Sequence, residues 1–167
     1  MKLPGLRTIK TCLAVFICFI IDLIRGDGVP FYAAIAAILC MKKEMGDSIK
    51  TAKNREVATI IGCIAGALFL FLEQEIIPID DIILRYLILS LLLIPVIHFS
   101  VMIHQESATY LACVVFLSVT INHADETPLS FALARFIDTN IGMIVALAIN
   151  WLPSIIRTRL LKKDHSK

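Results

Sequence analysis

The sequence predicts an all-α integral membrane protein, a six-helix transmembrane bundle with a short second span. Three observations carry that expectation. Of 167 residues, 58% are hydrophobic and only 18% charged, with a mean hydropathy of +0.84; globular chains run about 45–50% apolar and about a quarter charged. Six stretches, 11–21, 28–41, 57–72, 86–105, 107–124 and 139–156, contain no Asp, Glu, Lys or Arg. The basic residues between them concentrate in alternate connections, on one side of the chain's crossings. The same composition excludes disorder, collagen and secreted disulfide scaffolds, and a net charge of +2 gives no support to nucleic-acid binding.

Each stretch is apolar around the whole helix, rich in Leu, Ile, Val and Ala, and bounded by charge or Pro, which reads as helix rather than strand. A hydrocarbon core of about 30 Å needs about 20 helical residues. Expected spans are about 7–24, 30–41, 57–72, 83–103, 107–123 and 135–152, within a transmembrane domain of residues 1–156. The second, starting at Pro30, gives only about 18 Å of helix at about 1.5 Å per residue, so it is a short span, a tilted half-helix or a re-entrant piece. Residues 42–56 form a basic, amphipathic lead into the third span, lying at the membrane surface or continuing straight into it. Residues 157–167 are a short basic cytoplasmic tail, too short to fold.

With the amino terminus cytoplasmic and six crossings, thirteen Lys and Arg lie inside and three (Arg25, Arg85 and Arg135) outside. That bias puts both termini in the cytoplasm. The start resembles a signal peptide, but Asp22 and Arg25 follow the apolar run without a small-residue cleavage site, so an uncleaved first span is expected.

At about 100° per residue, Arg55, Ala58, Thr59, Gly62, Gly66 and Glu73 share one face of the third span. Gly62 and Gly66 form a GxxxG, a spacing that lets helices approach closely. On the sixth span Arg135, Asp138, Thr139, Gly142, Ala146 and Asn150 share a face, with Arg135 and Asp138 spaced to pair. The two segments align, R-E-V-A-T-I-I-G-C-I-A-G at 55–66 against R-F-I-D-T-N-I-G-M-I-V-A at 135–146. Tyr32-Ala33-Ala34 likewise echoes Tyr110-Leu111-Ala112. Two readings stand: chance matches in apolar sequence, or two inverted three-helix halves with a site near midplane between spans three and six.

Four motifs in this order carry a family resemblance: Lys10-Thr-Cys-Leu-Ala-Val-Phe16, P-F-Y-A-A-I-A-A-I-L at 30–39, R-x-x-x-T-x-x-G-x-x-x-G from Arg55, and R-x-x-D-T-x-x-G-x-x-x-A-x-x-x-N from Arg135 to Asn150. Over nearly its whole length the chain resembles the aromatic acid exporter and fusaric-acid-resistance-like membrane proteins. The resemblance implies a bacterial inner-membrane bundle of six helices associated with efflux of aromatic carboxylic acids and related organic anions. Ala58 stands where family members usually carry a glycine, implying a looser helix contact there. Larger relatives add a cytoplasmic domain or duplicate the membrane unit; a six-helix unit of this size favours a homo-oligomer.

Function therefore divides into two readings. In the first, the chain is an efflux-type transporter or transporter subunit for small organic anions. Arg55 and Arg135 attract a carboxylate, Asp138 holds or releases Arg135, Asn150 adds a hydrogen bond, and Gly62, Gly66 and Gly142 are close-packing sites. In the second, it is a membrane scaffold or accessory subunit whose stripes serve only assembly. His98, one turn after Pro95, either relays protons or bonds a neighbouring helix or a carbonyl freed by the proline. Asp22 is a second protonation candidate, and His104 sits near the cytoplasmic end of the fourth span. His123, Asp125 and Glu126 cluster in an outer loop without a fourth metal ligand, and read as solvated loop. The five cysteines, Cys12, Cys18, Cys40, Cys63 and Cys113, read as buried small residues. No hydrolase, ATPase or dinucleotide motif is present, so no enzyme activity, cofactor or metal is expected. The partners expected are membrane lipids, a small organic anion and further copies of the chain.

Overall fold

The computed structural model describes residues 6–26, 29–75, 81–103, 106–121 and 127–164, and among them the regular structure is entirely helical. Six α-helices follow in order: α1 (Leu6–Arg25), α2 (Pro30–Cys40), α3 (Met45–Glu75), α4 (Ile82–Met102), α5 (Thr109–Ile121) and α6 (Pro128–Asp164), with a single 3-10 turn, Glu106–Ala108, leading into α5. Three stretches, in α3, in α4 and over Leu129–Trp151 of α6, are long and apolar enough to cross a membrane. The 20 residues of α1 include Arg7, Lys10, Asp22 and Arg25 near their ends.

Local signals explain four of the helix ends. Gly26, at φ +75°, closes α1 by donating its amide to the Asp22 carbonyl (2.9 Å); a residue without Cβ tolerates this left-handed conformation. Pro30 opens α2, where its missing N–H costs nothing. The Asp81 carboxylate caps α4 by accepting from the Ile83 amide (2.9 Å). Thr127 precedes Pro128 at the start of α6, and its carbonyl accepts from the Phe131 amide (3.1 Å).

Of the two forms expected for the lead into the third span, the structure has the continuous one, a single helix of 31 residues without a break. Two other lengths differ from expectation. The tail expected from residue 157 is the end of α6, which runs 37 residues to Asp164. α5 has 13 residues where the sequence predicts a full crossing, so it is short like the 11-residue α2. These two helices occupy corresponding places in the two sequence halves.

The chain divides into two compact units. Unit 1 comprises Met1–Ala52 with Asp138–Lys167, and unit 2 comprises Lys53–Ile137. In unit 1, α1 packs on α2 around Ala14, Cys18, Ala33, Ala36, Ala37 and Ala146. A methyl group built on Gly142 of α6 would overlap the Ala33 carbonyl and the Ala36 side chain of α2. In unit 2, α4 packs on α5 around Leu70, Leu89, Ala112, Val115, Phe116 and Val119. There a methyl on Gly62 of α3 would lie 2.7 Å from the Ala112 carbonyl of α5, and one on Gly66 would lie 2.8 Å from Val119. The third helix of each sequence half thus packs, through its glycine, on the middle helix of the other half. Equivalent glycines meet equivalent helices.

Candidate functional site

The two predicted stripes are buried. Ala58 and Thr59 are fully enclosed and Arg55 is 3% exposed; on α6, Arg135 is 5%, Asp138 1% and Asn150 7% exposed. A face that mixes arginine, acid, threonine and glycine and still turns inward marks the helix–helix side, because lipid offers such groups no partner. Within unit 2, α3 and α6 touch where the Cys63 thiol donates to the Ala132 carbonyl (3.4 Å). The Thr59 hydroxyl donates back to the Arg55 carbonyl one turn earlier (2.8 Å).

The strongest charged arrangement lies in unit 1 and centres on Asp138. Its Oδ1 accepts from Arg25 Nη1 at 2.6 Å, and its Oδ2 accepts from the backbone amide of Val29 at 3.1 Å. Val29 immediately precedes α2 and makes no side-chain cap. The carboxylate therefore sits between a guanidinium at the end of α1 and the amide end of α2, the two donors that bind anions most strongly. Asp22, half-buried one turn before Arg25, lies within electrostatic reach of both Arg25 and Asp138. One cation thus faces two acids. The sequence links Asp138 to Arg135 by spacing; the ion pair formed with Arg25 spans 113 residues and has no local signal.

Asn150 also finds its partners in unit 1. Its Nδ2 donates to the Lys42 carbonyl (3.1 Å) and the Ser48 hydroxyl (2.9 Å), while Lys10 Nζ donates to its Oδ1 (3.2 Å). Ser48 Oγ further accepts from the Lys42 amide (3.1 Å), and Arg7 Nε donates to the Met41 carbonyl (3.2 Å). Together these bonds tie the α2–α3 turn to α1 and α6. Asn150 holds structure here, with every amide hydrogen-bonding group it offers engaged at least once.

Unit 2 has a comparable tie. Arg85 at the start of α4 grips the Glu73 carboxylate with two nitrogens, Nε and Nη2, and Nη2 also donates to the Thr120 carbonyl of α5 (2.9 Å). Elsewhere α3 and α4 part to leave a groove of about 650 Å³, lined wholly by apolar side chains that include Ile61, Leu68, Phe69, Pro95, Val96 and Phe116. His98 is exposed on α4. His104 and the His123, Asp125 and Glu126 cluster lie outside the described residues. Among those described, no group of three or more His, Cys, Asp or Glu is placed to hold a metal ion. All five cysteines are thiols; Cys18, Cys40 and Cys63 are buried as expected, but Cys12 is exposed and Cys113 is half-buried.

Arg25 and Arg85 are the residues that the sequence passes over. Both stand at the edge of an apolar run, where a single basic residue usually only marks the membrane interface. The available hint was the acidic residue near each, Asp22 for Arg25 and Glu73 for Arg85.

No curated protein and no solved structure matches the chain. The family model for fusaric acid resistance protein-like proteins matches residues 11–149, a stretch that holds both glycine crossings, the Arg25–Asp138 pair and all but one residue of the α6 stripe. It describes a transporter family rather than an enzyme family. With most of its length matched and its helices apolar enough to cross a bilayer more than once, the chain belongs to the fusaric acid resistance protein-like family of multi-pass membrane proteins, with a transporter-related function.

Proposed function

We propose that the protein is an efflux-type transporter, or the membrane subunit of one, for small organic anions of the aromatic carboxylate class. It would act at the bacterial inner membrane with both termini cytoplasmic. The observation that carries this reading is the Asp138 carboxylate, enclosed to 1% exposure between Arg25 and the amide end of α2. Those donors recognise a carboxylate, and the protein's own carboxylate fills the place while none is bound. A substrate carboxylate competes with Asp138 for the same donors. Exchange between internal and external anion changes what holds α1 and α2 to α6, which couples binding to helix movement. Asp22 supplies a second acid that shares Arg25, so protonation of either carboxylate shifts the competition toward substrate. Arg55 and Arg135 keep their assigned part, drawing the anion into a bundle otherwise poor in charge.

Export of a labelled hydroxybenzoate from cells or inverted vesicles tests the reading. Arg25→Ala and Arg135→Ala should each lower export at least about tenfold, the effect of about 1.4 kcal/mol at the rate-limiting barrier, while membrane insertion and helix content stay normal. Unchanged export in both variants sinks the assignment.

The scaffold reading is favoured by one observation, the full engagement of Asn150 by Lys10, Lys42 and Ser48, which leaves that stripe residue an assembly role. It expects no carboxylate to raise the protein's melting temperature, whereas a bound substrate does so by mass action.

A further inference from the structure

α4 has two faces of different character. Leu89, Val96 and Ser100 are buried on the side that meets α5. On the opposite side Leu84, Leu87, Leu91, Ile94, His98 and Val101 are all exposed, at successive spacings of three and four residues. In the apolar stretch of α4 only 11% of residues are buried, against 44% in those of α3 and α6. Such a stripe is not distinctive by itself, because Ile9, Leu13, Phe16, Ile20 and Leu23 of α1 are exposed at the same spacing. All five of those are apolar and suit lipid. On α4 the stripe is broken by a histidine.

His98 lies thirteen residues beyond Arg85, about 20 Å of helix rise, and Arg85 is fixed at the start of α4 by Glu73 and Thr120. Between Arg85 and His98, and on to Ile103, the helix carries no other ionisable side chain except Tyr86. An imidazole has a donor and an acceptor nitrogen, and acyl chains satisfy neither, so intramembrane histidines turn toward protein or water. A foreign helix covering this face would have to present a polar group at this one depth. A second copy presents one by symmetry, because a two-fold axis along the membrane normal sets each residue of the seam beside its equivalent. The three-four spacing is that of a two-stranded coiled-coil seam, in which a single polar position sets register and partner number.

We propose that the exposed Leu84–Val101 face of α4 is the seam of a homodimer, with the His98 imidazoles of the two copies hydrogen-bonded to each other, one donating and one accepting. The inference does not depend on what the protein transports.

Disulfide cross-linking of the full chain in native membranes tests it. A disulfide requires the two Cα atoms to approach within about 7 Å. With the exposed Cys12 replaced by Ser, Ile94→Cys is compared with Ile144→Cys, since the two isoleucines are equally exposed at 64% but only Ile94 is in the seam. Ile94→Cys should give a covalent dimer of the chain and Ile144→Cys none. Adding His98→Leu should lower the Ile94→Cys dimer several-fold, with helix content and membrane insertion unchanged, because apolar packing alone drives little association in lipid. Adding His98→Asn, which keeps a donor and an acceptor, should restore it. Equal cross-linking at the two positions, none at Ile94, a product of another mass, or full dimer with leucine at 98 would each overturn the proposal.

Discussion

The two units solve the same packing problem with different materials. In both, a glycine on a long helix admits a short helix at backbone distance, Gly142 against α2 in unit 1 and Gly62 against α5 in unit 2. Around that crossing unit 1 is tied at several points by polar groups far apart in sequence: Arg25 to Asp138, Lys10 to Asn150, and Asn150 to the turn at Lys42 and Ser48. Among the described residues of unit 2, Arg85 joins Glu73 to the Thr120 carbonyl, and the Cys63 thiol donates to the Ala132 carbonyl. Beside these and the buried Arg55 and Arg135, its core is apolar, with the Phe69 and Phe116 rings edge to face next to an open groove. Lipid tails are as apolar as the helices, so apolar contact fixes helix arrangement weakly and polar contact fixes it strongly. In unit 1 the Arg25–Asp138 pair joins residues 113 apart in the chain, whereas in unit 2 the Arg85–Glu73 pair joins residues 12 apart.

Breaking the polar side of the contrast should have the largest effect. Asp138→Ala leaves Arg25, whose side chain is 28% exposed, and the Val29 amide without their acceptor and should destabilise the protein by about 3 kcal/mol, the upper end for a hydrogen bond to a charged group, read as a fall in detergent melting temperature. Adding a methyl tests the shared crossing next. Gly142→Ala should cost about 2 kcal/mol and Gly62→Ala less, within the range for overpacked cores. The Gly142 methyl meets backbone that moves only with α2, whereas part of the Gly62 overlap is with the Val115 side chain. Equal losses would show that α2 yields as readily as a side chain. The smallest effect is expected in the groove: Ala65→Leu adds volume where there is room and should change stability by less than about 0.5 kcal/mol. A large loss there would mean that the groove is narrower, and unit 2 more tightly built, than the contrast holds.

The stripes show how far pattern reading reaches. Arg55, Thr59 and Gly62 on α3, and Arg135, Asp138, Gly142 and Asn150 on α6, were picked out by helical period, and all face inward. That succeeds because a helix has one inward face and its period fixes which residues share it. The start of α6 at Pro128 comes earlier than the expected span from residue 135, because a threonine before a first-turn proline opens the helix ahead of the charged residues that bounded the expected span. The shortness of α5 was not legible, since the uncharged run that starts at Ser107 does not mark its first two residues as the end of a 3-10 turn, Glu106–Ala108, rather than α-helix. Nor was the partner of Asp138, because spacing on α6 offers Arg135, and only folding brings Arg25 to it.

By itself the sequence determined that this is a membrane bundle of helices, which faces of α3 and α6 are turned inward, and the family to which the chain belongs. Those properties follow from composition and local period, which survive in any arrangement of the helices. Only tertiary structure decided that the third helix of each half packs on the middle helix of the other, and that Arg25 and the amide end of α2 share one buried carboxylate. It also decided that Asn150 secures a turn, and that His98 faces outward on α4. Each of these depends on which helix lies beside which, and polar atoms that must find partners away from water find them across the fold rather than along the chain.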